Sequence, residues 1–243
     1  MSTIVVIIPT YKEQDSIAEL IDALETEFLS IPNHKMSILV VDGNSPDDTA
    51  RKVREMAGEY GNIDLIIEEE KRGLGVAYIR GMNYVIDELG ADAFVEFDGD
   101  FQHDPKDIKR LINEFDNGYD YVIGSRYVHG GSIPSAWAWY RKVLSRLGSL
   151  FIKVALKLPT HDNTSGLKLT RIHPLALGLP LSPDKILSKR HAYKIHLLYE
   201  MIRSGAKVKE IPIKFLERQG GSSKSSIEDI LESLKVALFL VKW

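Results

Sequence analysis

Five short apolar runs, at residues 4–8, 37–41, 63–67, 93–97 and 121–123, alternate with four amphipathic stretches at 16–29, 47–59, 76–89 and 105–117. Such alternation buries each run only when successive strands lie parallel and the intervening segments pack as helices over the sheet. It therefore predicts an α/β fold with a mixed, mostly parallel sheet and helices on both faces. In sheets of this kind ligands gather outside the carboxyl ends of the strands. The residues just after each run are the first place to look for chemistry.

Past residue 125 the alternation stops. Tyr140, Val143, Leu144, Leu147, Leu150, Phe151, Val154 and Leu158 recur at helical spacing within 136–158, with Arg141, Lys142, Arg146, Lys153 and Lys157 among them. A polar loop at 160–166, a helix at 192–204, a strand at 207–215 and a final amphipathic helix at 225–243 complete the reading. No stretch reaches the roughly 20 apolar residues that span a bilayer, and residues 1–9 lack the pattern of a signal peptide. Membrane contact is thus expected to be peripheral, or to run through a separate anchor subunit or a transmembrane portion outside this sequence. The chain has no cysteine, which excludes a disulfide scaffold, a thiolate zinc site and a cysteine nucleophile.

The net charge of −3 conceals a segregation. Between residues 84 and 120 there are 11 acids against 3 bases; 136–157 has 5 bases and no acid, and 185–224 has 10 bases against 3 acids. An acidic strand end followed by two basic stretches suits a site that holds a cation and phosphates, though solvated helix faces would give the same count. Nucleic acid is not among the expected partners.

The strand exits sharpen this reading. Pro9-Thr10-Tyr11-Lys12-Glu13 follows the first run, and Asp42-Gly43-Asn44-Ser45-Pro46-Asp47-Asp48-Thr49 follows the second. Residues 45–49 suit a turn and helix cap, which leaves Asp42 unexplained. Phe97-Asp98-Gly99-Asp100-Phe101-Gln102 follows the fourth. Two carboxylates and an amide leaving one strand suit Mg²⁺ or Mn²⁺, which take a few protein oxygens and complete their shell with substrate phosphates. Arg72-Gly73-Leu74-Gly75 either begins a helix or offers backbone N–H groups to phosphate. Gly124-Ser125-Arg126-Tyr127 puts a permanent cation at the ligand edge, free for substrate or held in a salt bridge.

In this order and spacing, the motifs resemble the family-2 glycosyltransferases, and most of all the dolichol-phosphate mannose synthases and their polyprenol-phosphate relatives. Arg141-Lys142, Ser145-Arg146, Asp162 to Gly166 and Phe215-x-x-Arg218-x-x-Gly221-x-Ser223-Lys224 extend the likeness, which covers about Val5 to Lys224. Lys12 stands where asparagine is usual, and Gly43 replaces a second aspartate. The resemblance implies a GT-A-type, Rossmann-like domain over 1–224, with a donor half at 1–125 and an acceptor half at 126–224. The helix at 225–243 would lie near a membrane. It implies inverting, metal-dependent transfer of mannose from GDP-mannose to dolichyl or polyprenyl phosphate at the cytoplasmic side of a membrane. By position, Pro9, Tyr11, Glu13, Val41, Asp42, Asp98, Gly99, Asp100 and Lys194 would hold the donor. Asp98, Asp100 and Gln102 would hold Mg²⁺ or Mn²⁺. Arg126, Arg141, Arg218 and Lys224 would take the acceptor phosphate, with Asp100 and Arg126 closest to catalysis. A UDP-sugar donor on the same fold, or a catalytically silent nucleotide-sugar-binding subunit, are the alternatives.

Overall fold

The computed structural model describes residues 1–217 and 227–242. The elements follow the alternation closely: β1 (Thr3–Thr10), α1 (Ile17–Phe28), β2 (Lys35–Asp42), α2 (Thr49–Tyr60), β3 (Ile63–Ile67), α3 (Leu74–Asp87), β4 (Ala93–Glu96), α4 (Asp107–Asp116) and β5 (Tyr121–Ser125). Beyond them lie α5 (Trp139–Leu156), β6 (Lys168–Arg171), a 3₁₀ turn (Ala176–Gly178), α6 (Tyr193–Arg203), β7 (Val208–Pro212) and α7 (Ile227–Val241).

All seven strands share one sheet in the order β3-β2-β1-β4-β6-β5-β7. Every pairing is parallel except those of β6, which runs antiparallel to β4 and β5. The sequence pattern did not reveal β6: it has four residues, and one of them is a fully buried lysine, so neither an apolar run nor an alternation marks it. Its reversed direction matters for the site. Because β6 starts where its neighbours end, it delivers the loop at 160–166 to the same sheet edge as the exits of β4 and β5. The strand expected at 207–215 is shorter, and the helix expected at 136–158 begins at Trp139 and ends at Leu156.

The two-residue period of each strand divides the core into two layers. Ile4, Val6 and Ile8 face α1, α2 and α4 with Val95 and Phe97. Val5 and Ile7 face α3 and α6 with Phe94, Tyr121 and Tyr193. Since β1 and β2 are covered on both faces, they read as continuous apolar runs, as central parallel strands do. α7 packs on α5 and α6, and among the described residues no helix is long and apolar enough to cross a membrane.

Candidate active site

At the β1/β4 junction the strand order turns outward in both directions, which opens a crevice at the carboxyl edge. The β1 and β2 exits are joined by Asp42. Its carboxylate accepts from Thr10 Oγ1 at 2.8 Å, from the Ser45 backbone N–H at 2.7 Å and from Ser45 Oγ at 2.7 Å. Asp42, fully buried, therefore ties two loops together. Lys12 adopts φ +59° in that turn and donates its N–H to Ser45 Oγ. This left-handed conformation explains why asparagine, which tolerates it better, would suit the position. Lys71 lies over the Tyr11 ring, Nζ 3.8 Å from the centroid, and its stem is 3.7 Å from where a Cβ on Gly43 would stand.

Asp98 is the centre of the crevice. It projects to the α3/α6 side, where the Tyr78 hydroxyl donates to Oδ1 at 2.8 Å. Lys194 Nζ and His103 Nε2 stand 3.6 and 3.7 Å from Oδ2. Burial by itself would favour the neutral acid. Lys194, then the His103 ring and the Tyr78 hydroxyl, outweigh it and hold Asp98 well below the usual carboxylate range. Gly166 completes the arrangement, because any Cβ there would collide with Asp98 Oδ2 and crowd His103 Nε2 and Lys194 Nζ. Lys194 comes from the first turn of α6, a helix whose two leading residues, Tyr193 and Lys194, are both buried.

Asp100 accepts the Gln102 N–H at 3.1 Å across Phe101, which takes φ +57°. The Gln102 amide nitrogen donates to the Leu216 carbonyl at 3.3 Å, which turns its amide oxygen away from that partner. Among the described residues no three His, Asp or Glu side chains converge as a metal cage. Two aspartates and an amide oxygen fit a hard cation that draws its other ligands from phosphate and water, and they do not fit an all-protein site. Tyr78 and Tyr193 stack at 5.5 Å beneath this point, and among the described residues His103 has no hydrogen-bond partner at either ring nitrogen although it is 1% exposed.

Arg126 stands at the end of β5 and is held by Asp162. Nε and one terminal nitrogen form a two-pronged pair with the carboxylate at 2.7 Å each, and that terminal nitrogen also donates to Thr164 Oγ1 at 2.8 Å. Burial disfavours both charges, but their mutual attraction keeps Asp162 below and Arg126 above their ordinary ranges. Glu210 in turn accepts the backbone N–H groups of His161 and Asp162, which orders the loop. The ring of Phe215 links the two sides of the crevice: His103 lies 5.0 Å from it, Arg126 5.4 Å and Trp137 6.0 Å. The Arg141 guanidinium lies over the Trp137 ring, 3.8 Å from its centroid, and its partial burial lowers its pKa.

Thus the structure gathers Asp98, Lys194 and, through Phe215, Arg126 and Arg141. Arg218 and Lys224 lie outside the described residues. In the segment at 72–75 the Gly75 amide is already engaged within the protein. The Gly75 N–H donates to the Lys189 carbonyl at 3.0 Å, and a side chain at Gly73 or Gly75 would strike the backbone at 188–190. Those glycines admit a crossing chain. Sequence reasoning assigned no role to Tyr78, His103 or Phe215; His103 carried a signal as the neighbour of Gln102, and Phe215 as the first residue of the motif that runs to Lys224.

A mixed, mostly parallel sheet with a carboxylate-bearing crevice at its carboxyl edge is the GT-A-type architecture. The chain belongs to glycosyl transferase family 2, whose profile matches residues 5–176. It is 35% identical over 234 residues to polyprenol monophosphomannose synthase of Mycolicibacterium smegmatis, covering 96% of this chain and 84% of that one. It is also 35% identical over 242 residues to dolichol-phosphate mannosyltransferase of Pyrococcus furiosus, covering 98% of this chain and 63% of the relative. In fold it resembles glucosyl-3-phosphoglycerate synthase of Mycobacterium tuberculosis, solved with Mn²⁺, UDP and product, at TM-score 0.66 and 17% identity over 99% of this chain and 79% of the other. The chain is accordingly a hexosyltransferase of that family.

Proposed function

We infer that the chain moves mannose from GDP-mannose to a polyprenyl phosphate at a membrane surface. The observation that carries this reading is the pairing of Asp98 and Lys194 across one crevice with Arg126 and Arg141, joined by Phe215. One wall is suited to a diphosphate with a cation, and the other to a second phosphate. The two relatives are named for such lipids, one a polyprenol monophosphomannose synthase and the other a dolichol-phosphate mannosyltransferase.

On the donor side, Pro9, Tyr11, Glu13 and Val41 would hold the nucleoside, with Asp42 fixing the ends of β1 and β2 on which they stand or from which they follow. Asp98, Asp100 and Gln102 would hold Mg²⁺ or Mn²⁺, which supplies positive charge to the leaving diphosphate when bound. Lys194 would contact the diphosphate from the α6 side. A phosphate monoester, with its second pKa near 6, is already largely deprotonated at neutral pH. The nucleophile then needs no strong base; it needs cations that bring one anion up to another. Arg126 offers its second terminal nitrogen, since Nε and the first are engaged by Asp162 and Thr164. Arg141, Arg218 and Lys224 complete the acceptor set in this reading.

The lipid would approach over α5. Trp139, Tyr140, Leu147, Leu150 and Val154 are all more than half exposed, and the bases among them suit anionic headgroups at the cytoplasmic face of a membrane. A donor panel with a polyprenyl phosphate, with Mn²⁺ and with EDTA, tests the whole. Turnover of GDP-mannose that EDTA abolishes is the expected result. The Lys71 ammonium over Tyr11, beside Gly43, favours a second reading with a UDP-sugar, because a cation rather than a carboxylate borders the base site. Turnover of UDP-glucose or UDP-N-acetylhexosamine alone would establish it, and nucleotide binding without any turnover would leave a silent subunit.

A further inference from the structure

Lys168 is fully buried, and nothing in the transfer chemistry above uses it. It stands on β6 directly opposite Glu96 of β4, and Glu96 is 1% exposed. Both side chains occupy the α6 side of the sheet, two residues behind Asp98 on the same face. Each charge bears on the first turn of α6. Lys168 Nζ donates to the Lys194 carbonyl at 3.4 Å, and the Tyr193 hydroxyl donates to Glu96 Oε2 at 2.5 Å. Two charges taken out of water gain little net stability over apolar residues of the same size, so this pair needs another explanation. Burial in fact works against the Lys168 charge and brings its pKa down to about 8, with Glu96 opposing the fall.

The explanation lies in direction. Lys194 has a long, flexible side chain, and its ammonium reaches Asp98 only if its own backbone is held in place. We propose that Glu96 and Lys168 form a buried clamp on the first turn of α6, which aims Lys194 at Asp98 and the donor diphosphate. Lys168 is then a positioning residue, with no contact to substrate. The clamp rests on the reading of Lys194 as a donor contact, and it holds for either nucleotide.

A double-mutant cycle in the full chain tests it, with kcat and KM measured for whichever donor the wild type turns over. Lys168→Met should lower kcat/KM for the donor about tenfold, the effect of one hydrogen bond from a charged group. In a Lys194→Met background the same change should cost less than about twofold, since the residue it aims is gone. Lys168→Arg should recover most of the loss. Tyr193→Phe removes a hydroxyl and leaves both charges in place, so it guards against a Lys168 variant that does not fold. It should cost about fivefold alone and little in the Lys194→Met background. Full additivity of both changes with Lys194→Met overturns the clamp. A crystal structure of Lys168→Met or Tyr193→Phe gives a reading independent of turnover. The Lys194 ammonium is expected to leave Asp98, and its retention there overturns the proposal. Should Lys194→Met itself leave the kinetics unchanged, the donor role of Lys194 falls, and the crystal position alone decides the clamp.

Discussion

The crevice and the α5–α7 surface each invert the usual distribution of residues, in opposite senses. In the crevice, Asp42, Glu96, Asp162, Lys168 and Lys194 are charged groups almost wholly withdrawn from water. On α5, only Ser149, Ile152 and Leu156 are buried, while eight large apolar or aromatic side chains from Trp139 to Val154 remain exposed. α7 adds Ile230, Leu231, Leu238 and Phe239 to the exposed set. Buried charge is costly unless each group has a partner, and here Arg126 has Asp162 while Lys194 faces Asp98. Exposed apolar area of this extent is costly unless something covers it. In the proposed function both departures prepare for a ligand, one anionic and polar, the other a lipid surface.

The largest effect should come from the crevice. Asp100→Ala is expected to lower turnover by at least about 100-fold, because the cation's share of charge stabilisation amounts to several kcal/mol. Mn²⁺ affinity measured by calorimetry should fall with it. An Asp100→Ala enzyme with unchanged turnover in EDTA would remove the metal from the mechanism.

Next in size is the buried Arg126–Asp162 pair at the end of β5. Asp162→Asn leaves the Arg126 charge buried without its counterion, and should destabilise the protein by about 3–5 kcal/mol. Urea denaturation reads that loss, and a change below about 1 kcal/mol would mean that Arg126 is solvated in solution.

The opposite surface should respond in a different assay. Replacing Leu147 and Leu150 by serine removes two exposed side chains, each worth roughly 1.5–3 kcal/mol on burial. Sedimentation with anionic vesicles should show binding weakened by at least about tenfold, while nucleotide affinity and the melting temperature hold. Vesicle binding that ignores this change would assign α5 to some other partner.

A smaller effect concerns pH. Burial pushes His196 down to about 4, and its Nδ1 accepts the Leu187 N–H at 3.3 Å. The unfolded chain therefore binds this proton first, near pH 6.5, and the folded protein only near 4. Stability should fall as pH drops through that window and be insensitive to this group above it. His196→Gln should flatten the slope in thermal melts between pH 7 and 4.5. A slope identical to the wild type would place the titration elsewhere.

The smallest change returns to the crevice rim. Lys12→Asn relieves a left-handed lysine and should raise stability by about 0.5–1 kcal/mol. Loss of stability instead would show that the Lys12 side chain does more for the fold than its backbone costs.

The alternation of apolar runs with amphipathic stretches sufficed to place β1 to β5 and α1 to α4, because the central runs are covered on both faces and each helix on one. It also located Asp42, Asp98 and Asp100, since in a parallel sheet the residue after a strand is at the ligand edge by construction. Three things were not legible. β6 is too short to show a period, and its buried Lys168 argues against a strand on any local reading. The bond from Asp162 to Arg126 spans 36 residues, and only the antiparallel course of β6 brings the two together. The glycines at 73 and 75 read as either a helix start or a phosphate loop; they begin α3, and their need for glycine comes from the chain at 188–190. Local sequence determines which face a residue turns to, because strand and helix periods are local. Which residue it meets there depends on how distant segments cross, and that is set only when the two core layers close around the sheet.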